Sequence, residues 1–389
     1  MKQQKIFIDG LGLVDGHFSG VGQYILGIIR GIDEIIDTQK YRGDDYPSVT
    51  VFIPKDSVKR FKSFGFKHIN YRTIPLPFRI MSGLWYRGKL PPMDLLLGRG
   101  TYIFPRFVDM PLVFSKSALV IFDLSYELHR EYSDEGNARF LSKRVGDSVG
   151  RTKKVITISE NSKKEITSFY KIKPKDVCVA TPSTDPSVFY RRANEEIDKV
   201  KSKYGIKQDY ILALSNLEPR KNLQTLVDAY CALPKSVTNK TALLLVGVSG
   251  WKTESLFQHI IEKVNQGYNI IRPSEYVTDE DRPAIISGAT MLVYPSHYEG
   301  FGMPPLEALA CGVPVITANN SSLPEVIGKS GAMVDSNDTG ELIESMMDYL
   351  NDIDHLTEKL RVSGPAQADK FSWIKSAQVF LDVAKEIEK

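Results

Sequence analysis

The sequence predicts an α/β protein made of two doubly wound domains in tandem. The chain has 389 residues, which is too long for one ordinary hydrophobic core and suits two domains of roughly 150 to 200 residues. Short apolar runs alternate along the chain with segments of helical periodicity, as in repeated strand, loop and helix units. An apolar content of 42% and a charged content of 25% are typical of a globular, soluble protein.

The first strand, loop and helix unit opens the chain. KIFIDG, residues 5–10, is a short apolar run that ends in glycine, as an inner parallel strand does. The glycine-bearing loop GLGLVDGHFSGVG, residues 10–22, follows it. Isoleucines then recur at helical spacing, at Ile25, Ile28, Ile29, Ile32, Ile35 and Ile36. LVIFDLS and KVITISENSKKEITSFY repeat the unit, with Ser159 or Asn161 as the helix cap.

A second sheet is predicted after residue 208. ANEEIDKVKSKYGIKQ, residues 193–208, is polar and helix-prone and suits a linker. Six apolar runs follow, each with a loop or helical segment behind it: YILALSN, ALLLVG, NIIRPSEYV, TMLVYPS, VPVIT and GAMVD. The last segment, FSWIKSAQVFLDVAKEI, predicts an amphipathic helix with one apolar face formed by Trp373, Ile374, Ala377, Phe380, Leu381 and Ala384.

The net charge of +3 conceals an asymmetry between the two halves. Residues 1–190 hold 29 Lys and Arg against 20 Asp and Glu, or +9, and the remainder holds 21 against 27, or −6. A basic first half could meet an anionic membrane, a nucleic acid or a phosphate-bearing substrate, or could be ordinary surface solvation. The basic and aromatic stretch VKRFKSFGFKHINYR, residues 58–72, is short and predicts a partly buried helix and strand. We therefore expect no nucleic-acid partner and favour an anionic membrane surface.

Features of membrane and secreted proteins are not predicted. The best candidate span, PLVFSKSALVIF, is broken by Lys116. We also expect no secretory signal, because the first residues lack the basic and apolar pattern of one. Three scattered cysteines indicate neither a disulfide framework nor a metal site. We expect buried thiols in a reducing, cytoplasmic compartment.

HYEGFGMPPLEALACGVPVI, residues 297–316, predicts a ligand-binding loop. Pro304 and Pro305 suit a first helical turn because they have no N–H to lose there, and Gly312 would end the helix. The loop then lies at the carboxyl end of one strand and the amino end of a helix, where open α/β sheets bind ligands. Its N–H groups and the helix dipole attract phosphate, while Gly300 and Gly302 allow close approach of the backbone.

Glu299 and Glu307 flank this loop. Glu299 could accept hydrogen bonds from hydroxyls over the loop, and Glu307, about one turn into the helix, could hold a second diol. Hydroxyls at both ends with phosphate between them describe a nucleoside diphosphate sugar. The alternative is that Glu307 only complements the helix dipole and Glu299 is a solvated loop residue.

LSNLEPRKNLQTLVDAY, residues 214–230, repeats this geometry. A strand is followed by a Glu218-Pro219 turn, then by Arg220 and Lys221, and then by a helix. The adjacent cations would give a diphosphate one bidentate fork and one point charge. An exposed charged turn is the alternative.

These motifs resemble those of the retaining glycosyltransferases of family 4. The resemblance is nearly continuous from residue 211 to 334, in EPRKN, LLLVGVSGW and EYVTDEDRPAIISGATMLVYPSHYEGFGMPPLEALACGVPVITANNSSLPEV, with FSW near the end. The first half matches more loosely, in GVGQY, FDLSYELHREY, ITISENSKKEI and PSTDPSVF. The resemblance implies the GT-B fold, in which two Rossmann-like doubly wound domains face each other across a cleft. Residues 1–190 would form the acceptor-side domain, 191–372 the nucleotide-sugar domain and 373–389 a helix that crosses back to the first.

The resemblance also implies roles for individual residues. The family's two glutamates, separated by seven residues, fall on Glu299 at the donor sugar and Glu307 at the ribose, and its diphosphate-binding pair falls on Arg220 and Lys221. Asp123 would complete the catalytic set. The remaining donor-binding positions would be Gly300, Phe301, Gly302, Met303, Gly20, Gly22, Tyr276 and Val277.

Two departures concern the first domain. Phe122 stands before Asp123 where many relatives have His, and PSTD, residues 182–185, replaces a Pro-Asn-Gly-Val-Asp stretch. These changes bear on first-domain contacts more than on donor binding.

The activity implied is retaining, metal-independent transfer of a sugar, without a cofactor. GDP-mannose is the favoured donor, and the acceptor would be a glycan or lipid-linked glycan of a bacterial surface polysaccharide, at the inner face of the plasma membrane. Asp279, Glu280 and Asp281 resemble a metal-binding Asp-x-Asp element, but Thr278 before them favours a helix cap.

The sequence is also compatible with alternative functions. The donor could be a UDP-sugar, or Phe122 could mark a catalytically weak GT-B scaffold protein. A sugar-nucleotide epimerase would share the fold. A nicotinamide dehydrogenase is disfavoured because Gly10 and Gly12 fit its G-x-G-x-x-G pattern but Asp15 occupies the last position.

Overall fold

The chain forms two compact units, each built on one parallel sheet. The computed structural model describes residues 3–14, 20–43, 45–74, 80, 83–85 and 91–388. The first unit comprises Met1–Leu128, Glu135–Pro182 and Ser372–Lys389, and the second comprises His129–Asp134 and Ser183–Phe371. The predicted class, two parallel-sheet α/β domains, is confirmed.

The first sheet has seven strands in the order β3-β2-β1-β4-β5-β6-β7, and every neighbouring pair is parallel. From β1 the sheet extends to both sides, so the loops after β1 and β4 meet at a topological switch point. The strands are β1 (Lys5–Asp9), β2 (Ser48–Pro54), β3 (Asn70–Ile74), β4 (Thr101–Phe104), β5 (Lys116–Val120), β6 (Lys154–Thr157) and β7 (Val177–Val179).

Helices cover the first sheet as the periodicity predicts. They are α1 (Leu11–Val14), α2 (Gly20–Arg42), α3 (Val58–Ser63), α4 (Met93–Leu97), α5 (Ser125–Leu128), α6 (Glu135–Arg151) and α7 (Glu160–Tyr170), with 3₁₀ turns at Lys55–Ser57 and Pro174–Asp176. All six isoleucines predicted on one face of α2 are buried. Ser159 caps α7 by accepting from the N–H of Ser162 at 3.0 Å. The stretch at residues 58–72 forms α3 and the start of β3, as predicted.

The second sheet has six parallel strands in the order β10-β9-β8-β11-β12-β13. All six apolar runs predicted as strands contribute one each. They are β8 (Asp209–Leu214), β9 (Thr241–Val246), β10 (Ile270–Ile271), β11 (Met291–Tyr294), β12 (Val315–Ala318) and β13 (Ala332–Val334).

The helices of the second unit begin inside the predicted linker. They are α8 (Asn194–Lys203), α9 (Leu223–Ala232), α10 (Lys235–Thr238), α11 (Glu254–Asn265), α12 (Arg282–Ser287), α13 (Met303–Ala310), α14 (Leu323–Ile327), α15 (Thr339–Asn351) and α16 (Ile353–Ala368), with 3₁₀ turns at Arg130–Tyr132 and Pro219–Lys221. The linker expectation is wrong for α8. Because Ile197 and Val200 are buried and α8 packs on α12, the helix belongs to the core of this unit.

The last helix, α17 (Trp373–Glu388), packs along α2 in the first unit. Two glycines of α2 permit the close approach: a Cβ on Gly27 would lie 2.5 Å from the Trp373 ring, and one on Gly31 would lie 2.7 Å from the carbonyl of Trp373. Phe380 is buried in this contact as predicted, but Ile374 is 42% exposed, so its place on the apolar face was wrong. Ile374 lies beside rather than within the buried stripe of the helix.

The described residues bear on the expected absence of a membrane span and on the expected burial of the thiols. No helix in them is both long enough and apolar enough to cross a bilayer. Cys311 is buried, whereas Cys178 and Cys231 are only half-buried.

Candidate active site at the carboxyl edge of the second sheet

Two loops meet at the edge of the second sheet where its strand order changes direction. β8 lies between β9 and β11, and Ile211 of β8 pairs with Met291 of β11. The loop after β8 leads into the turn Pro219–Lys221 and then α9, and the loop after β11 leads into α13. The carboxyl ends of adjacent parallel strands are neighbours, so the two sequence-predicted loops lie together at the switch point.

The structure brings Glu299, Arg220 and Lys221 into one buried cluster. The Nζ of Lys221 lies 2.6 Å from Oε1 of Glu299, and Nη1 of Arg220 lies 3.4 Å from Oε2. Lys221 also donates to the hydroxyl of Tyr294 at 2.9 Å. The exposed fraction of the Lys221 side chain is 9% and that of Glu299 is 7%, but that of Arg220 is 20%. Of the two cations, Arg220 is therefore the more accessible to a ligand.

The charges of this cluster are mutually dependent. Burial by itself would raise the pKa of Glu299, but Lys221 and then Arg220 outweigh it and lower that pKa to about 2. Burial and the adjacent Arg220 lower the pKa of Lys221, and its contact with Glu299 opposes this. Glu299 is thus a fixed anion at neutral pH and a poor proton acceptor.

Glu218 orients the Arg220 guanidinium. Its Oε1 accepts from Nε at 3.2 Å and from Nη2 at 3.0 Å, and Glu218 is buried. Nη1 of Arg220 also lies 3.4 Å from the carbonyl of Tyr298. A guanidinium held on two sides keeps its direction without rearranging when an anion approaches. Sequence reasoning placed Glu218 only in the turn, although an acidic residue two positions before Arg220 was a usable signal.

Three polar side chains hold the loop between β11 and α13, and none of them was predicted. Ser321 Oγ accepts from the N–H of Glu299 at 3.0 Å. Ser322 Oγ lies 2.9 and 2.6 Å from the carbonyl oxygens of Glu299 and Phe301 and can donate its one proton to either. Asn222 Nδ2 donates to the carbonyls of Pro295 and Ser336, at 3.1 and 2.7 Å. For the two serines the signal was present in NNSS directly after β12, since polar residues there must lie at the same sheet edge.

The amino end of α13 is built to present backbone N–H groups. Gly302 precedes the helix with φ 119° and ψ 62°, which L-residues with a side chain rarely adopt. Pro304 and Pro305 fill the first turn, as predicted, and carry no N–H, so the donors of this helix start are those of Gly302 and Met303. Helix N-termini of this kind attract anions.

The loop residues Gly300 and Phe301 are buried. The ring of Phe301 packs edge-on against Phe371 at 5.3 Å between centroids. Phe301 therefore anchors the loop through its side chain, and any contact with a ligand would come from its backbone.

Glu307 lies in α13 with a cation of its own. Its side chain is 3% exposed, and Oε1 lies 3.3 Å from Nη2 of Arg282, which also pairs with Asp279 at 3.4 Å. Burial raises the pKa of Glu307 to about 7 against the opposing charge of Arg282. The two predicted carboxylates therefore differ in protonation near neutral pH. Arg282 was not predicted, although it directly follows the residues predicted to cap α12.

The segment before α12 holds the other predicted donor-binding positions. Tyr276 is 65% exposed and Val277 is buried. Thr278 Oγ1 accepts from the N–H of Asp281 at 3.3 Å in the turn before α12. The residue that precedes α12 is Asp281, and no side chain among the described residues caps this helix, so the predicted cap at Thr278 is wrong. Asp281 Oδ2 accepts from Lys203 at 2.6 Å and from the hydroxyl of Tyr204 at 2.8 Å.

The first-unit candidates lie at the carboxyl edge of the first sheet. Asp123 follows β5 and accepts from the N–H of Ser125 at 2.9 Å, at the start of α5. Phe122 is buried with its ring edge-on to Tyr24 at 5.2 Å, so its side chain has a packing role. Gly20 and Gly22 begin α2, while the part of the predicted glycine-bearing loop at residues 15–19 lies outside the described residues.

Comparison with known proteins identifies the family. The profile of the family described as "Glycosyl transferases group 1" matches residues 194–364. O-antigen chain mannosyltransferase B of Escherichia coli is 36% identical over 265 residues, which cover 68% of each chain. The chain belongs to the group 1 glycosyl transferases. The sequence resemblance and the predicted enzyme class, a glycosyltransferase, are thereby confirmed.

Further relatives agree with this membership. The serotype-specific mannosyltransferase WbdA of Escherichia coli is 29% identical over 273 residues, but the match covers 69% of this chain and only 33% of WbdA. Among solved structures, WaaG, a glycosyltransferase involved in lipopolysaccharide biosynthesis, aligns with a TM-score of 0.70 at 17% identity over 97% of this chain and 99% of its own. HepE of Anabaena in complex with UDP and glucose aligns with a TM-score of 0.69 at 16% identity over 98% of both chains. These structural likenesses concern the fold of this group 1 glycosyl transferase.

Proposed function

We propose that this glycosyltransferase moves mannose from GDP-mannose to a growing glycan or lipid-linked glycan of a bacterial surface polysaccharide. The proposal is supported mainly by the two loops after β8 and β11. One loop presents Arg220, which is partly exposed and already oriented by Glu218, and the other presents the N–H donors of Gly302 and Met303. That combination suits a diphosphate. The mannose assignment is supported by the E. coli O-antigen relative, whose name gives it mannosyl transfer.

In this proposal the two carboxylates serve opposite ends of the donor. Glu307 accepts from the ribose hydroxyls, and Glu299 accepts from hydroxyls of the sugar while its cations hold it in place. Negative charge develops on the leaving diphosphate, and Arg220 is already oriented to stabilise that charge. The exposed Tyr276 and the backbone of Val277 are proposed to face the base.

We propose that the reaction retains the anomeric configuration. An inverting single displacement would need a general base to take the acceptor's proton, but Glu299 is held by Lys221 at 2.6 Å and its pKa of about 2 makes it a poor proton acceptor. Attack from the leaving-group face, with the departing phosphate accepting the acceptor's proton, needs no such group. NMR of the product's anomeric proton tests this, and inversion would refute it.

Independence from metal ions is also proposed. In the Asp-x-Asp-like element at residues 279–281, Asp281 is held by Lys203 and Tyr204, and Asp279 pairs with Arg282. A cation there would have to displace these partners, and Arg220 with Lys221 already supplies positive charge. Transfer that is unaffected by EDTA is expected, and activity that is lost on chelation and restored by Mg²⁺ or Mn²⁺ would contradict the proposal.

The donor is tested by binding and by two substitutions. GDP-mannose should raise the melting temperature by mass action more than UDP-glucose or UDP-galactose does; a larger effect of a UDP-sugar would instead favour the UDP-dependent alternative. Glu307→Ala should mainly weaken donor binding, and Arg220→Ala should slow transfer by more than it weakens binding. Arg139→Ala, on the exposed face of α6, is the matched control and should change neither. Full activity of both site variants would overturn the assignment of roles.

A membrane-facing surface on the first unit is proposed as well. Leu95, Leu96, Val113 and Phe114 are 56%, 42%, 58% and 55% exposed. The Asp94 carboxylate accepts from the N–H groups of Val113 and Phe114 at 3.1 and 2.7 Å, so the two segments that carry these side chains are fixed to each other.

Positive charge accompanies this apolar surface. The guanidinium of Arg99 lies 4.1 Å from the ring centroid of Phe114, and residues 1–190 carry +9. Apolar side chains beside positive charge favour an anionic bilayer surface. Leu96→Asp should reduce co-sedimentation with phosphatidylglycerol vesicles; sedimentation that is insensitive to both this change and the anionic lipid would refute the surface.

A further inference from the structure

A polar cavity of about 630 Å³ lies in the second unit beside the loop that carries Glu299. In its wall, Asn319 and Asp335 follow β12 and β13 directly, and His297 lies in the loop after β11. The segment His129–Asp134 closes another side. The sheet order places β12 and β13 on the opposite side of β11 from β8, β9 and β10. The cavity is thus on the other side of the Glu299 loop from Tyr276.

The lining of this cavity excludes some ligand classes. Its carboxylates and amides belong to Glu131, Asp335, Glu341, Asn319, Asn320 and Asn337. Among the described residues, none that lines the cavity is Lys or Arg, so a phosphate-bearing ligand is disfavoured. Across the described part of the chain, no group of three His, Cys, Asp or Glu residues is arranged to hold a metal ion. Carboxylate and amide groups without a cation suit a neutral ligand rich in hydroxyl groups.

Aromatic rings form a second side of the cavity. The ring of Tyr132 lies flat against that of His297, with centroids 5.0 Å apart and planes 9° from parallel. The ring of His129 packs against that of Tyr298 at 4.5 Å, which fixes the inserted segment to the loop after β11. The C–H face of a pyranose packs against aromatic surfaces of this kind. Burial lowers the pKa of His297, so its neutral imidazole can both donate and accept a hydrogen bond.

The cavity wall and the Glu299 site share their backbone. The N–H of His297 donates to the carbonyl of Arg220 at 2.9 Å. Asn320 Nδ2 donates to the carbonyl of Ser296 at 3.1 Å. A ligand in the cavity would therefore lie against the loop between β11 and α13, which also carries Glu299, the residue that we place at the donor sugar.

We propose that this cavity is a saccharide subsite, which holds a neutral hexose unit of the acceptor glycan next to the donor loop. The assignment rests on the proposed function, because it takes the glycan chain as the acceptor. It adds that the second unit itself, and not only the first, recognises the acceptor.

The test measures binding of two probes to the full chain. Saturation-transfer NMR and calorimetry with α-linked mannotriose should detect binding to the wild type in the millimolar range. Asn319→Trp fills the cavity from an exposed position and should weaken that binding at least tenfold. Asn319→Ala removes the amide and should weaken it about threefold, which keeps the test open if the Trp variant does not fold. Asn351→Trp, at the exposed end of α15, is the matched control and should bind as the wild type does.

GDP-mannose binding in the same samples separates the two proposals. If the donor binds normally but mannotriose does not bind the wild type at about 20 mM, or binds Asn319→Trp equally well, the subsite is refuted and the proposed function stands. If GDP-mannose itself does not bind the wild type, the proposed function fails whatever the saccharide does.

Discussion

The buried carboxyl of Glu307 makes the stability of the protein depend on pH. Its pKa is raised from 4.5 to about 7 by burial, so the folded chain binds a proton that the unfolded chain has lost between these values. The free-energy cost of ionising the buried Glu307 carboxyl in the folded chain is absent below about pH 4.5 and fully present above about pH 7. Linkage arithmetic gives a loss of about 2.5 kcal/mol between pH 5 and pH 8 from this group.

The substitution Glu307→Gln isolates the contribution of this carboxyl to the pH dependence of stability. A glutamine keeps the shape of the side chain but cannot ionise, so the difference in unfolding free energy, wild type minus variant, should fall by about 2.5 kcal/mol from pH 5 to pH 8. For a unit of this size that corresponds to a relative shift in Tm of roughly 5–10 °C, measurable by differential scanning fluorimetry. Glu344→Gln, exposed on α15, controls for the loss of one charge. A difference that stays flat across this range would refute the reasoning.

The same titration should govern donor binding. If the ribose hydroxyls bind the ionised form of Glu307, a pKa of about 7 leaves roughly a tenth of the molecules competent at pH 6 and nine tenths at pH 8. The Kd for GDP-mannose should therefore rise about tenfold on going from pH 8 to pH 6 in the wild type. The dependence should be lost in Glu307→Gln, and calorimetry that finds equal pH dependence in both would contradict the role.

Three further predictions follow from the geometry of single residues. Arg220→Lys keeps the charge but loses the fork held by its carboxylate partners, so kcat/KM should fall by about 30-fold, or about 2 kcal/mol; steady-state kinetics with less than a threefold loss would argue against guanidinium recognition. Gly302→Ala would adopt a strained φ of 119° and place its Cβ 2.8 Å from Leu323 Cδ2, which should cost about 1–3 kcal/mol and weaken donor binding; a wild-type Tm and Kd would contradict this. Gly27→Ala would put a Cβ 2.5 Å from the ring of Trp373 and should destabilise the protein by about 1–3 kcal/mol with little effect on the donor Kd, whereas an unchanged Tm would show that α2 and α17 do not pack so closely.

Sequence patterns predicted the elements around the site because each has a strong local cause. The apolar run of β11, the prolines in the first turn of α13 and Gly312 at its end required no knowledge of distant residues. The buried face of α2 followed from six isoleucines at helical spacing, and the cap at Ser159 followed from its side chain alone.

Contacts between distant parts of the chain were beyond sequence reasoning. Neither the Arg282–Glu307 pair nor the Ser322 bridge to the carbonyl of Phe301 joins residues close in the sequence. The exposure of Ile374 was missed for a related reason: a helical wheel gives the direction of a side chain but not the width of the surface that covers it. The insertion of His129–Asp134 into the second unit depends on ring contacts with the β11 loop that no local pattern encodes.

The most direct measurement is a crystal structure with GDP-mannose bound. We expect the diphosphate within hydrogen-bonding distance of the Arg220 guanidinium and of the N–H groups of Gly302 and Met303, with the ribose on Glu307 and the sugar on Glu299. A donor bound elsewhere on the chain, or one whose diphosphate contacts neither Arg220 nor the start of α13, would contradict this expectation.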